Sequence, residues 1–480
     1  MKNRGAINFI KNFSYTLTSN FVSLFASSLV VLVVPRLIGV TEYGYWQLYL
    51  FYVSYVGFLQ FGWNDGIYLR YGGNNYYGLD NKLFFSQFWM LSISQIIIAS
   101  TLIIFAFIFV SDDNKKILLI MVSLSIVFMG VRAMPLFILL ATNRIREYAL
   151  ITMIGRVLYI LLIVIFLLFG IREYRLMIVA DLIGKFISLV YSMFCCRDIV
   201  FLKASSFYFS CNEALENISV GIKLMFANIA SMLIIGVVRL GIERSWDVAT
   251  FGKVSLTLSI SNFMMLFINA IGLIMFPILR RTDAKKLSNI YLTMSDILIV
   301  VLLGVLLLYY PLKVILSGWL PKYAESMMYM ALIFPMFVYE GKMALLINTY
   351  LKTFRKEKLI LKINIISLCL SVVITGIFTV VFRELNLAIA SILGLLMFRA
   401  ILAEIYLSKI MSIFMYKNIA LEIALILIFV LSGWFINSWF TLLLYGSSYM
   451  AYVFIKRNEL GISINNLKLL AKSDVVLERC

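Results

Sequence analysis

Histidine is absent from the 480-residue sequence, cysteine occurs 5 times, and charged residues make up only 14% of the chain. Without histidine, imidazole acid–base catalysis and the common zinc sites of paired Cys and His are excluded. The cysteines are scattered and odd in number, so we expect neither a metal site nor a disulfide framework. The motif GxxxxGK[ST] is missing, so we expect no ATP hydrolysis, and the motifs GxSxG, HExxH and CxxC are missing as well.

Long apolar runs dominate the sequence, in which 62% of residues are hydrophobic. A soluble chain carries about 25% charged residues, so this composition is typical of a membrane protein. A helix needs about 20 apolar residues to cross a bilayer, which predicts an all-α polytopic protein with about 14 transmembrane helices. Twelve helices are the alternative, because the last run is short and contains Gly446, Ser447 and Ser448. The predicted spans are approximately 13–38, 44–69, 84–110, 117–142, 148–170, 176–196, 217–240, 250–279, 288–310, 324–348, 359–382, 387–408, 418–437 and 438–455.

The chain carries a formal net charge of +18. In a soluble protein this charge would suggest nucleic acid as a partner, but in a membrane protein it is first explained by Lys and Arg in cytoplasmic loops. With the N-terminus inside, the basic clusters at 280–286 and 352–358 fall on the cytoplasmic side. We therefore predict a multi-pass protein in the lipid bilayer with both termini in the cytoplasm and no nucleic-acid partner.

A short internal repeat divides the chain into similar halves. The first span ends with Arg36 to Gly39, and Tyr43 and Gly44 follow it. The seventh span ends in a similar way with Arg239 to Gly241, and Phe251 and Gly252 follow it. Six helices in each half leave both copies in the same orientation, which predicts two parallel lobes. The expected parts are 1–205 (helices 1 to 6), 206–410 (helices 7 to 12) and 411–480 (helices 13 and 14 with a basic cytoplasmic tail).

Several charged residues fall inside the predicted spans. A charge at the centre of a helix costs roughly 2.5 to 3.5 kcal/mol in lipid, so these side chains must face water, one another or a ligand. Arg132 lies between Gly130 and Pro135, where a break in the helix would free carbonyls for the guanidinium. For four others, near the ends of spans, we expect the charge to reach the headgroup region. They are Arg156, Lys223, Lys362 and Glu422.

A polar stripe follows one face of helix six, where Asp181, Lys185, Ser188 and Ser192 recur at helical spacing. It predicts either an internal ion pair or the wall of a cavity. Because the intramembrane positions lean basic, and Arg offers paired donors to phosphate oxygens, we predict a cavity for a polyanionic headgroup. Its basic candidates are Arg36, Arg132, Lys185, Arg239, Lys253 and Arg399.

Helix two is rich in aromatic residues through its middle, with amides and acids between them. Aromatic belts normally lie at the two membrane interfaces only. This pattern favours stacking against sugar rings, with plain helix packing as the alternative. The sugar-binding candidates are Tyr49, Tyr52, Gln60 and Asp65.

Energy for transport has to come from an ion gradient, the membrane potential or the gradient of the substrate. A protonatable carboxylate in the cavity could neutralise basic partners while an empty carrier returns. The candidates are Asp181, Asp296, Glu340 and Glu404, the last two close to Lys342 and Arg399. The alternative is that these acids only balance local basic residues. The coupling ion, H⁺ or Na⁺, stays open, and no other cofactor is expected.

Residues 35–73 read PRLIGVTEYGYWQLYLFYVSYVGFLQFGWNDGIYLRYGG. This segment resembles the first loop and second helix of bacterial O-antigen and capsule-unit flippases. These Wzx-type polysaccharide transporters belong to the MOP superfamily, together with the peptidoglycan lipid flippase and the MATE drug exporters. The segments ATNRIREYA at 141–149 and NTYLKTFRKEK at 348–358 lie where such proteins carry basic cytoplasmic loops.

The resemblance implies a V-shaped pair of lobes that opens alternately inward and outward. Its cargo would be an undecaprenyl-pyrophosphate-linked oligosaccharide crossing the bacterial inner membrane, for O-antigen, lipopolysaccharide or similar polysaccharide biosynthesis. Arg36 matches an arginine near the outer end of the family's first helix, and helices 13 and 14 resemble the lipid-tail pair of the peptidoglycan lipid flippase. A polysaccharide polymerase and a chain-length regulator are the implied protein partners.

Three other functions stay open. A MATE-like drug or cation exporter would favour carboxylates in its site, whereas the predicted cavity is basic. A membrane-embedded polysaccharide polymerase or transferase would need a sizeable outer loop, and the outer loops here are short. A non-transporting scaffold would leave the charges within the spans without a role. Neighbouring genes for glycosyltransferases and nucleotide-sugar enzymes would favour the flippase.

Overall fold

The computed structural model describes the backbone of residues 28, 30–281 and 284–466, and within these ranges the side chains of all but 266–286. All regular structure within these residues is helical, as predicted. We number the helices to match the predicted spans. They are α1 (Val34–Leu37), α2 (a broken helix over 40–71), α3 (Asn81–Phe109), α4 (Asp113–Ala141), α5 (Ile145–Leu168), α6 (Tyr174–Cys195), α7 (Cys211–Ser245), α8 (Val248–Arg281), α9 (Ala284–Val305, continuing to Trp319), α10 (Glu325–Thr353), α11 (Glu357–Val381), α12 (Leu385–Met411), α13 (Tyr416–Ile436) and α14 (Trp439–Ile455).

Ten helices within the described ranges are long and apolar enough to cross a membrane, and α14 is a shorter apolar helix. The protein is therefore a multi-pass membrane protein. Most of the first predicted span, 13–38, lies outside the described residues. The exact number of crossings stays a prediction.

Acidic and hydroxyl side chains begin several of these helices. The carboxylate of Asp80 accepts from the amides of Lys82 and Leu83 at the start of α3, at 3.0 and 3.2 Å. Asp112 caps α4 in the same way, and Asp247 caps α8 by accepting from the Thr250 amide at 2.8 Å. Each cap satisfies amides that have no partner within the helix, so short polar loops define where the apolar helices begin.

The prediction of one continuous second helix is wrong. In α2, the α-helix Val40–Val53 gives way to a 3₁₀ segment, Val56–Gln60, before a second α-helix, Trp63–Tyr71. Phe61 and Gly62 between them have positive φ values of 53° and 77°. Glycine adopts this left-handed conformation at little cost, so Gly62 makes the sharp change of direction possible.

The chain divides into two compact units, the first ending at Ile229 and the second beginning at Ala230. The division falls inside α7, later along the chain than the predicted boundary at 205, and 411–466 belongs to the second unit. In the first unit, α3 to α6 pack around an apolar core that includes Met134, Ile138 and Ile151. In the second, α10 is the most buried of the ten long apolar helices, since 89% of an 18-residue apolar stretch within it is buried.

Candidate functional site

The polar stripe of α6 lies inside the first unit. Lys185 forms an ion pair with Asp181 one turn earlier, and the Tyr49 hydroxyl donates to the same carboxylate at 2.7 Å. Ser125 lies 2.7 Å from the Tyr49 oxygen, and the Lys185 ammonium is 3.1 Å from it. The predicted internal ion pair is therefore present, and its contacts with Tyr49 and Ser125 join α2 and α4 to α6. The cavity wall stays a prediction.

Arg132 reaches this network from α4. Its Nη1 donates to the Ser188 hydroxyl at 2.8 Å, and that hydroxyl donates to the Ile151 carbonyl at 2.8 Å. The predicted break in the helix is absent, because α4 continues through Pro135 as one helix. The guanidinium is thus held by a serine on α6 and not by freed carbonyls. Its Nε is buried and has no hydrogen-bond partner among the described residues.

Two glycines set the close approach of α5 to α6. A Cβ on Gly184 would lie 2.6 Å from the carbonyl oxygen of Gly155, and one on Gly155 would lie 3.0 Å from the Cβ of Ser188. Only residues without a side chain fit at this crossing. The contact places Arg156, the residue after Gly155, in electrostatic range of Arg132 and Lys185.

The result is a cationic centre, formed by Arg132, Arg156 and Lys185 with the single carboxylate of Asp181. The two arginines repel each other, and Asp181 attracts both Arg132 and Lys185. The Lys185 side chain is only 11% exposed, whereas Arg156 lies in an exposed position. Three cations against one carboxylate leave an excess of positive charge, together with an unused buried donor on Arg132. This arrangement suits an anionic ligand.

The other candidates of the first unit lie at different depths. Tyr49 is fully buried and acts on the centre through Asp181, while Tyr52 is half-buried. Gln60 is buried and accepts a hydrogen bond from the Asn64 amide, and Asp65 is half-buried. Arg36 is exposed in the last turn of α1.

In the second unit, the basic candidates form separate contacts. Arg239 donates to the Ser255 hydroxyl at 3.0 Å and lies over the Phe251 ring, 5.2 Å from its centroid. Lys253 is half-buried on α8. Arg399 is 2% exposed and donates to Glu340 at 2.8 Å and to the Ser231 hydroxyl at 2.8 Å.

The remaining acidic candidates of the second unit also have basic partners. The Lys342 ammonium lies 2.7 Å from Glu404 and 2.6 Å from Glu422. The expectation that Glu422 reaches the headgroups is wrong, because its side chain is 4% exposed and salt-bridged to Lys342. Its sequence signal was a lone acid in the apolar run IALEIALIL. Asp296 accepts from Lys456 at 2.6 Å, a pairing that the sequence analysis did not foresee.

The fold matches solved transporters, although no family model matches the sequence and the search of curated proteins finds no match. An inward-facing multidrug resistance MATE family transporter of the MOP superfamily aligns with a TM-score of 0.62 and 13% identity, covering 82% of this chain and 94% of its own. Lipid II flippase MurJ, in an inward closed conformation, aligns with a TM-score of 0.60 and 16% identity, covering 94% and 99%. The chain thus has the fold of MOP superfamily transporters.

Proposed function

We propose that this protein is a secondary transporter that flips undecaprenyl-pyrophosphate-linked oligosaccharide units, of O-antigen or a similar surface polysaccharide. Transport runs from the cytoplasmic to the periplasmic leaflet of the bacterial inner membrane, with both chain termini in the cytoplasm. A polysaccharide polymerase and a chain-length regulator are its proposed protein partners. The observation that carries the proposal is the excess of positive charge around Arg132 in the first unit.

The charge of this centre and its unused donor support a diphosphate as the ligand. Arg132 has one buried donor, Nε, that no described residue uses, and planar guanidinium donors match phosphate oxygens. Two unit charges 4 Å apart attract by roughly 4 kcal/mol at the effective dielectric near a protein surface. The resemblance of residues 35–73 to polysaccharide flippases and the fold shared with a lipid II flippase support the same substrate class.

The coupling candidates are distributed over both units. We propose that Asp181 tunes the cationic centre and that Asp296, Glu340 and Glu404 take part in the ion-driven return of the empty carrier. Arg36, Arg239, Lys253 and Arg399 are proposed as further headgroup contacts, and Tyr52, Gln60 and Asp65 as contacts to the sugars.

The decisive measurement is binding of undecaprenyl diphosphate to the purified protein, followed as an increase in melting temperature. Arg132→Gln should weaken binding, because it removes one cation from the centre. Glutamine is chosen because its amide can still donate to the Ser188 hydroxyl, as Arg132 does. Asp181→Asn should strengthen binding, because it removes the only carboxylate of the centre. Arg172→Gln is the matched control, since Arg172 lies in an exposed position outside the centre. Weaker binding in both centre variants would contradict the anion site.

A MATE-like drug exporter is the second candidate, favoured by the shared fold and by the acidic cluster in the second unit. For such an exporter, a lipophilic cation should raise the melting temperature of the Arg132→Gln protein more than that of the parent.

In cells, deletion of the gene should remove the surface polysaccharide and leave lipid-linked single units in the cytoplasmic leaflet. Normal polysaccharide after deletion would exclude the flippase.

A further inference from the structure

Lys342, Glu404 and Glu422, which we call the Lys342 cluster, join three helices of the second unit. Lys342 lies on α10, Glu404 on α12 and Glu422 on α13. The ammonium is 2.7 Å from one oxygen of Glu404 and 2.6 Å from one oxygen of Glu422. The three side chains are 4%, 1% and 4% exposed. The cluster is therefore closed to bulk water in this conformation.

Hydrogen bonding within the cluster is incomplete. The ammonium donates to Oε2 of Glu422 and lies 2.7 Å from Oε2 of Glu404, and the Tyr291 hydroxyl also interacts with Glu404. Oε1 of Glu422 has no hydrogen-bond donor among the described residues. A buried acceptor without a donor costs about 1 to 3 kcal/mol, and more when it is charged. One further donor between the two carboxyl groups would relieve this deficit.

Among the residues that the structure describes, no further cation balances the second carboxylate. Lys456 interacts with Glu422, but its ammonium already lies 2.6 Å from Asp296 and 2.8 Å from Glu459. The other titratable groups near the carboxylates are tyrosines, which are neutral at ordinary pH. They are Tyr291 on α9 and Tyr339 on α10, both near Glu404 and Glu422, and Tyr452 on α14, near Glu422.

We propose that the Lys342 cluster is a proton-binding site in which Glu404 and Glu422 share one proton. With both acids ionised, the cluster holds two negative charges against one positive charge in a buried place, and an unbalanced buried charge is strongly destabilising. Two carboxyl groups in one site commonly keep one proton between them. That proton, taken from water, forms an O–H bond on one carboxyl group, makes the cluster neutral and provides the missing donor.

The proton also gives the cluster a role in coupling, and this part rests on the proposed function. The neutral, protonated cluster fits the closed conformation, in which its side chains are buried. Release of the proton requires water to reach the carboxylates, so loss and uptake of the proton accompany opening and closing of this part of the second unit. Glu340 differs, because its partner Arg399 balances it one to one.

Infrared difference spectra of the full-length protein in lipid, recorded across a pH step, test the proton site without any substrate. The parent protein should show the C=O stretch of a protonated carboxyl group. Glu404→Gln and Glu422→Gln should each remove it, because the remaining acid then pairs with Lys342 alone. Glu147→Gln, the matched control, should keep it, because Glu147 is paired one to one with Arg144 outside the cluster. A band that survives both cluster variants, or that the parent lacks, overturns the proposal.

Two further measurements separate folding and coupling from proton binding. The Glu422→Gln protein should melt at the temperature of the parent at neutral pH, since the amide resembles the protonated acid in shape and hydrogen bonding. Displacement of the carboxyl band by NaCl at constant pH, with KCl as the comparison, would mean a Na⁺ site and overturn the proton site. In vesicles, a pH gradient should accelerate flipping of undecaprenyl diphosphate by the parent but not by Glu422→Gln. If the pH gradient affects both proteins equally while the parent keeps the carboxyl band, only the coupling is refuted and the proton site stands.

Discussion

The contact between the third segment of α2 and the start of α7 gives a sharp prediction about packing. A Cβ on Gly66 would lie 1.8 Å from the carbonyl oxygen of Asn217 and 2.5 Å from its carbonyl carbon. On the other side, a Cβ on Gly221 would lie 1.9 Å from the carbonyl oxygen of Gly62. Non-bonded atoms pack best at about 3.5 to 4.0 Å, so Gly66→Ala must separate the two backbones by roughly 1.5 Å or more.

The separation also weakens the polar contacts beside the glycines. Arg70 donates to Glu213 at 2.5 Å, to Glu216 at 2.7 Å and to Asn217 at 2.6 Å. These ion pairs are partly exposed, so their contribution is modest. Alanine favours the helix over glycine by up to about 1 kcal/mol, whereas overpacking costs about 1 to 3 kcal/mol and more where backbone is met. We therefore expect Gly66→Ala to destabilise this conformation by roughly 2 kcal/mol.

Thermal unfolding of the purified protein measures the effect. Gly394→Ala is the matched control, because Gly394 also lies inside a helix, α12, and a Cβ there would meet nothing within 4 Å. Its melting temperature should equal or exceed that of the parent, while that of Gly66→Ala should fall. If Gly66→Ala is as stable as Gly394→Ala, the close approach of these two backbones is refuted.

Two further predictions concern residues at the ends of helices. At pH 8 a maleimide should modify Cys211, which is exposed, and spare Cys196, because burial raises the pKa of the Cys196 thiol to about 12. Equal labelling of the two cysteines in peptide mass spectra would contradict this prediction. Asp247→Ala should lower stability by about 1 kcal/mol through loss of the α8 cap. Hydrogen bonds from Thr250 lower the pKa of Asp247, so the cap's contribution is full at neutral pH and is lost as the pH falls through that lowered pKa. If the alanine variant melts at the same temperature as the parent at both neutral and acidic pH, the cap is refuted.

Apolar run length predicted the helices well, because the cost of unpaired backbone groups in lipid leaves a crossing segment little choice but the helix. The predicted span 387–408 corresponds to α12, Leu385–Met411, and 84–110 corresponds to α3, Asn81–Phe109. The break in α2 was not predicted. Its aromatic run has no proline, and the left-handed conformation of Phe61 and Gly62 depends on packing that hydrophobicity does not record.

The site could be predicted only where partners lie on one helix. Asp181 and Lys185 are four residues apart, so helical periodicity alone indicated their contact. Lys342 and Glu422 are 80 residues apart in sequence, and their salt bridge depends on how α10 packs against α13. Sequence position near a helix end could not distinguish Glu422, which is buried, from Lys362, which lies in an exposed position.

The charge balance of each unit follows from these cross-helix contacts. In the first unit, Asp181 is the one carboxylate of the centre and acts on both Arg132 and Lys185, which is the basis for proposing an anionic ligand there. In the second unit, Lys342 lies between Glu404 and Glu422, which is the basis for proposing a shared proton there. A net charge summed over the whole chain contains neither fact, because unmatched cations in one unit and an unmatched anion in the other offset each other in the sum. The surplus within each unit therefore indicates ligand charge better than the net charge of the protein does.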